Sequence, residues 1–484
     1  MTVESTRWLR AWSRLWLAAA VVAILVLAAA CSGSSSRSAR RQHAGSSPIR
    51  SSTLPPGTAP QGATTRETAP TVVVVVPGSI DATGHTDDTK ALQAFLDEVP
   101  NGRVIQFRAR GRYRVEGTLF LRNRHRLTFD GEDALVFATT RGGPNRAQWW
   151  IEDGSQIVFR DLSVKGANPN AGVGNDAYVP KLATQPGFEF EGVDGAELDH
   201  VRVTDVYGDF VYLGRDKRRV PSRNVWIHDS TFLRNGRQGI AVTAATDVII
   251  EHNTFDDTRR STIDLEPNGR SWHVSNVFVL DNTVGVGRLL FVASKGQGPV
   301  NNIVISGNRL VGHPLTIEVV APGRTRRSNW VVTNNVSNTT VRSRPMRFSG
   351  IDGLDVSGNV QRVTGQQPGV LIADDCGAQV SSNQFGTGAV RQKGVRCGAA
   401  LAVPNVPSLL GRASSPPTTV PRVTTPRRST TTVPNTPGSA APAPGTSGSG
   451  RGLTLWLALI GAACVVVAIG LVVRRRRRRH DPEA

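Results

Sequence analysis

The sequence predicts an all-β fold, a parallel β-helix (β-solenoid) of about ten turns, and two observations carry that expectation. Along the middle of the chain, pairs of apolar residues two positions apart recur, each followed by a turn containing Asn, Asp or Gly. No helix-period pattern lies between the pairs, so they are not βαβ units. The pairs are Leu127/Phe129, Ile157/Phe159, Ala196/Leu198, Val225/Ile227, Val248/Ile250, Val277/Val279, Ile303/Ile305, Trp330/Val332, Leu354/Val356 and Ala378/Val380. Successive pairs start 23 to 39 residues apart. Alternation of this kind marks strands with one buried face. A repeat of roughly 20–50 residues means that each unit stacks on its neighbours, because one unit alone cannot bury its apolar face.

The elements follow in order. Thr86 or Asp87 supplies an N-cap for a short helix that carries Leu92, Phe95 and Leu96 on one face. Such a helix closes the open end of a solenoid, which is otherwise an exposed sheet edge. Residues 71–122 are therefore read as an N-terminal cap and 123–403 as the solenoid, with three short strands per turn. Inside the repeats a fixed sub-pattern places Ser230, Asn253 and Asn308 at equivalent corners. Stacked Asn side chains can bond up and down in ladders. The longest turn, 165–187, is expected to wall a groove.

The stretch Asp87-Asp-Thr-Lys-Ala-Leu-Gln-Ala-Phe-Leu, then Gly111-Arg-Tyr-Arg-Val-Glu-Gly-Thr-Leu-Phe-Leu and Leu127-Thr-Phe-Asp-Gly, resembles the entrance to pectate-lyase-like β-helix proteins. The resemblance covers about residues 78–390. It implies a right-handed parallel β-helix, and a protein that cleaves, epimerises or only binds polysaccharide, with its site on strand faces and adjoining loops outside the solenoid. The polygalacturonase set of Asn-Thr-Asp, paired Asp and Gly-His-Gly is absent, which argues against that specific activity.

Both ends of the chain point to export. Arg7, Arg10 and Arg14 precede the apolar run Leu15–Ala30, so residues 1–30 read as a signal peptide or lipoprotein signal, with Cys31 the candidate lipidation site. Leu453–Val473 is uncharged over 21 residues, enough to cross a ~30 Å hydrocarbon core as a helix. A transmembrane helix is assigned to 451–473. The basic tail 474–484, with Arg474–Arg479, is then cytoplasmic and the middle of the chain extracellular, on a single-pass bacterial membrane protein. Segments 31–70 and 404–450 are rich in Ser, Thr, Pro and Gly and read as disordered linkers.

The formal charge of +19 is not a nucleic-acid signal. Outside residues 71–403 lie 19 of the 57 Lys/Arg and 4 of the 38 Asp/Glu, which leaves the middle at only +4. No nucleic-acid partner is expected; the expected partners are a polysaccharide or cell-envelope glycan and the membrane, and the chain is read as a monomer. Cys376 and Cys397 can close a disulfide near the C-terminal end of the fold, or stay as buried thiols.

Candidate chemistry comes from three consecutive turns: Gly208-Asp-Phe-Val-Tyr-Leu-Gly, Arg237-Gln-Gly-Ile-Ala-Val-Thr and Ser261-Thr-Ile-Asp-Leu-Glu-Pro-Asn. The last two are similar to a motif in uncharacterised exported bacterial β-helix proteins. With Ile240/Val242 and Ile263/Leu265 inward, Asp264 and Glu266 point outward, their Cα atoms roughly 6.5–7 Å apart. Stacking sets Tyr212 and Ala241 beside Asp264 and Thr243 beside Glu266, with Asp209, Arg237 and Gln238 at the rim. Asp264, Glu266 and Arg237 are the candidate catalytic residues; Asp209, Tyr212, Gln238, Lys295 and Trp272 are the candidate substrate-binding residues. Paired carboxylates suit hydrolysis of a glycosidic bond. With Arg237 or Lys295 they suit proton abstraction beside a uronate carboxylate, a chemistry that Ca²⁺ can assist. Trp149, Trp150 and Trp272 can stack on sugar rings. No metal site is read from the sequence: His85, His200, His228, His252 and His273 lack zinc spacing, and His228 and His252 are expected to stack at successive corners. The alternative function is a non-catalytic surface protein that binds glycan or organises the envelope.

Overall fold

A computed structural model describes residues 72–321, 325–339, 346–361, 369–385 and 390–393. Within it, parallel strands stack turn upon turn around one apolar core. Two of the three faces form a continuous 20-stranded sheet, and the third is a separate sheet of 11 strands. Eleven turns are thus present among the described residues, one more than the apolar pairs count. The extra turn lies at the N-terminal end, where Arg103–Gln106 pairs with His125–Phe137 through Arg103↔Leu127 and Ile105↔Phe129. Arg103 fills the first position of the apolar pair, so the pattern that marks every other turn is broken there. Parallel pairing begins earlier still, at Val72–Val75, which runs beside Arg103–Gln106.

Elsewhere the register is the one that alternation dictates. Ala196, Val225, Val248, Val277, Ile303, Trp330 and Leu354 are successive partners in one column. Their side chains point inward, where like stacks on like. The rings of Phe129 and Phe159 lie 4.5 Å apart and nearly parallel, and those of Phe232 and Phe255 lie 5.0 Å apart. One helix, Thr89–Glu98, closes the N-terminal end with Leu92 and Leu96 fully buried and Phe95 packed on the core. Its N-cap position is Asp88, one residue beyond the expected one. Asp87 serves the same end differently, accepting from the Thr89 amide at 3.0 Å.

Asparagine ladders hold the corner between the first and second faces. Asn253, Asn282, Asn308, Asn335, Asn359 and Asn383 stack on consecutive turns, each accepting from the amide and side chain of the one before. Asn308 also donates to the Val279 carbonyl at 2.9 Å. Several residues just before the ladder have positive φ, among them Asp229 (48°), His252 (55°) and Asp281 (49°). That conformation turns the chain, and short polar side chains tolerate it best.

Insertion 165–187 packs on the second corner. Its Val173 amide donates to Asp257 at 2.8 Å, and Arg260 lies over the Tyr178 ring at 5.5 Å. It therefore borders the turns that lead into the 11-stranded sheet. Cys376 is buried and disulfide-bonded. Cys397 and Cys31 lie outside the described residues, as do both apolar end runs. Among the described residues no helix is long and apolar enough to cross a membrane.

Candidate functional site

On the outer face of the 11-stranded sheet, one column of outward residues runs Phe120, Trp150, Glu189, Tyr212, Ala241, Asp264, Ala293, Glu318 and Arg347. Tyr212, Ala241 and Asp264 are the stacked partners that the repeat implies. Asp264 nevertheless departs from an ordinary outward position, because it is only 4% exposed. Gln238 covers it, donating from Nε2 to Asp264 Oδ2.

The orientation of that amide follows from its other end. The Ser261 amide donates to Gln238 Oε1 at 2.9 Å, so Nε2 must be the atom that faces Asp264. Asp264 Oδ2 is then an acceptor, and a proton on this carboxyl sits on Oδ1. Burial first, then the negative charges of Glu266 and Asp209, push Asp264 up to about 7, against the opposing pull of Arg237 and Arg260. Near neutral pH the protonated and ionised forms of Asp264 are therefore both populated.

Arg237 is shared. Its Nη1 donates to Asp209 at 2.6 Å and its Nη2 lies 3.5 Å from Glu266. Asp209 also accepts from the Gln238 amide at 2.8 Å, so both its oxygens are engaged. Burial raises it to about 6, and Arg237 limits the rise. Asp209 and Gln238 were expected at the rim, but they are 2% and 4% exposed and form the floor. The reason is local: no Cβ fits at Gly239, where it would strike the Thr262 carbonyl, so the turns close tightly here.

Tyr212 is also part of this cluster. Its hydroxyl accepts from Thr243 at 3.0 Å, and burial raises its ionisation to about 12, so it stays a neutral phenol. Lys295 lies one turn beyond Glu266 and pairs with Glu318 at 2.8 Å. Trp272 has its ring face covered by the Arg215 guanidinium, 4.1 Å from the centroid. Trp149 is a core residue, fully buried against Phe129 and Phe159, and is withdrawn as a sugar platform. Trp150 faces outward and donates to Glu191 at 3.3 Å.

Sequence reasoning missed Glu189. Burial, then Glu191, Asp209 and Glu152, push it from 4.5 up to about 8. Phe188-Glu189-Phe190-Glu191 reads as an ordinary half-buried strand. Only stacking that turn against Val211–Gly214 places Glu189 beside Tyr212. A raised carboxyl pKa means that folding binds a proton, so stability falls as pH rises from about 4.5 to about 8. Glu189→Gln should therefore match wild type near pH 4 and exceed it at pH 9, by on the order of a few kcal/mol. Urea denaturation at the two pH values checks this.

Known proteins agree on the architecture. The family described as "Right handed beta helix region" matches residues 183–343. Among solved structures, an endo-xylogalacturonan hydrolase from Aspergillus tubingensis is similar at 14% identity and a TM-score of 0.51, covering 69% of this chain and 98% of that one. The Streptococcus pneumoniae surface protein and adhesin PfbA is 14% identical at a TM-score of 0.48, covering 66% and 100%. A tailspike protein mutant of E. coli bacteriophage HK620, in complex with a pentasaccharide, is 13% identical at 0.46, covering 64% and 60%. No curated protein sequence matches the chain. These similarities and the stacked strands agree on one fold: the chain is a right-handed parallel β-helix.

Proposed function

We propose that this chain is a polysaccharide-active protein displayed outside a bacterial membrane, with hydrolysis of a glycosidic bond as its chemistry. The observation that carries the reading is Asp264: a buried carboxylic acid whose proton-bearing oxygen is set by Gln238 and Ser261, beside a carboxylate already paired to a cation. Asp264 protonates the leaving oxygen, and Glu266, ion-paired with Arg237, supplies the base or nucleophile. Phe120, Trp150 and Tyr212 lie in the same outward column and offer faces for sugar rings. A lyase or epimerase reading is weaker, because both cations it could use for the substrate are already held, Arg237 by Asp209 and Glu266 and Lys295 by Glu318.

One observation favours the second reading, a non-catalytic glycan-binding or envelope-organising protein. Asp209, Arg237, Gln238 and Asp264 satisfy one another, as a purely structural network would. Incubating the full-length chain with glycans separates the two, since only the enzyme yields products, formed about 10²–10⁴-fold more slowly by Asp264→Asn.

Display outside the cell rests on the uncharged run Leu453–Val473 and the arginines that follow it. Protease added to intact expressing cells should digest the β-helix while sparing the Arg474–Arg479 end. Full protection of the β-helix would overturn this placement.

A further inference from the structure

Away from the acidic column, on the outer side of the first face, two imidazoles and two carboxylates meet at one corner. Asp199 is the register partner of His228. The next residues along each chain, His200 and Asp229, both have positive φ (52° and 48°) and turn the same corner. The order is Asp-His on one turn and His-Asp on the next, so like charges are never stacked directly. Asp199, His200 and Asp229 bring their ligand atoms within 4.8 Å of one another, and so do Glu197, Asp199 and His228.

We propose that this corner is a binding site for a divalent transition-metal ion of the zinc type, held by His228 Nδ1, Asp199, Asp229 and His200. His228 Nδ1 lies 2.8 Å from Asp229 Oδ2 and 3.7 Å from Asp199 Oδ1. Tetrahedral bonds of about 2.0–2.2 Å place ligand atoms about 3.3–3.6 Å apart, between those two spacings. Two imidazoles with two carboxylates are a donor set that zinc accepts.

The outer groups are arranged as such a site needs. Glu197, itself buried, lies 3.4 Å from His228 Nε2. A carboxylate behind the far nitrogen fixes the ring and leaves the near nitrogen for the ion. Trp226 stacks on the His228 ring with centroids 3.6 Å apart, which fixes its plane. Arg160, the partner of Asp199 on the preceding turn, is bonded to Asp130 at 2.7 Å. His200 and Asp229 are 54% and 44% exposed, which leaves an open path from solvent. In the metal-free form, His228 hydrogen-bonds to Glu197 and Asp229. Metal entry at Nδ1 replaces the contact that this atom makes with Asp229 in the metal-free form.

The test is calorimetric titration of the full-length chain with zinc chloride. One site per chain with micromolar or tighter affinity is expected. Cobalt(II) in place of zinc should show the visible absorption of tetrahedral coordination. His200→Ala, on the exposed corner, should weaken zinc at least about 10-fold, and Glu197→Gln about 10–100-fold. His200→Ala should leave metal-free circular dichroism unchanged, so its loss of binding is not a loss of fold. No saturable binding, or zinc affinity untouched by His200→Ala and Asp229→Ala, would overturn the site.

Discussion

Arg237→Met is expected to destabilise the chain by about 3–5 kcal/mol at pH 8, because it leaves the Asp209 carboxylate buried with no cation beside it. Asp209 is 2% exposed, and its bond to Arg237 is 2.6 Å. The loss should shrink on acidification. Asp209 already stands at about 6 with Arg237 in place, and removing the cation raises it further. At pH 5 the variant can bury a neutral carboxyl, so its deficit relative to wild type is smaller. Urea denaturation of the two chains at pH 5 and pH 8 measures this. Equal losses at both values would mean that Arg237 contributes packing rather than charge. The double variant Arg237→Met/Asp209→Asn should recover part of the pH 8 loss, since neither charge is then buried alone.

Asp264→Asn is the second large effect, and it falls on rate. An amide cannot donate the proton that the leaving oxygen needs, and loss of general acid catalysis costs about 10²–10⁴-fold. The fold should survive, because the Asn carbonyl oxygen can accept from Gln238 Nε2 as Asp264 Oδ2 does. In wild type the acid must be protonated, so kcat should fall as pH rises through about 7. The small residual rate of Asp264→Asn should lack that descending limb. A residual rate that keeps the limb would assign it to another group.

How much of this was legible beforehand depends on which contacts are local. Alternation along a strand is local, and it set the inward column from Leu127 to Leu354 and the outward placement of Asp264 and Glu266. The corner asparagines were legible for the same reason, since Asn253 and Asn308 sit at a constant offset from their strands. Burial of Asp264 was not legible. It depends on Gln238, 26 residues earlier, folding over from the neighbouring turn. The zinc-type corner was hidden in the same way. His200 and His228 have no motif spacing, and a shift of one residue separates the expected pairing of His228 with His252 from the observed pairing with Glu251. One position along the strand decides whether an imidazole meets carboxylates or another imidazole. Glu189 shows the limit from the other side: its strand is easily read, but its environment belongs to the turns above and below.

The central claim is that Asp264 and Glu266 break glycosidic bonds. Mass spectrometry of products tests it most directly: the full-length chain and its Asp264→Asn variant are each incubated with a panel of acidic and neutral glycans, with and without Ca²⁺. The account predicts shortened chains from wild type, formed about 10²–10⁴-fold more slowly by the variant, each cleavage adding the elements of one water. Products that have lost water instead would contradict hydrolysis and indicate a lyase. No product from any glycan, with both proteins binding them alike, would contradict catalysis and leave the carboxylate pair a structural feature of a glycan-binding surface.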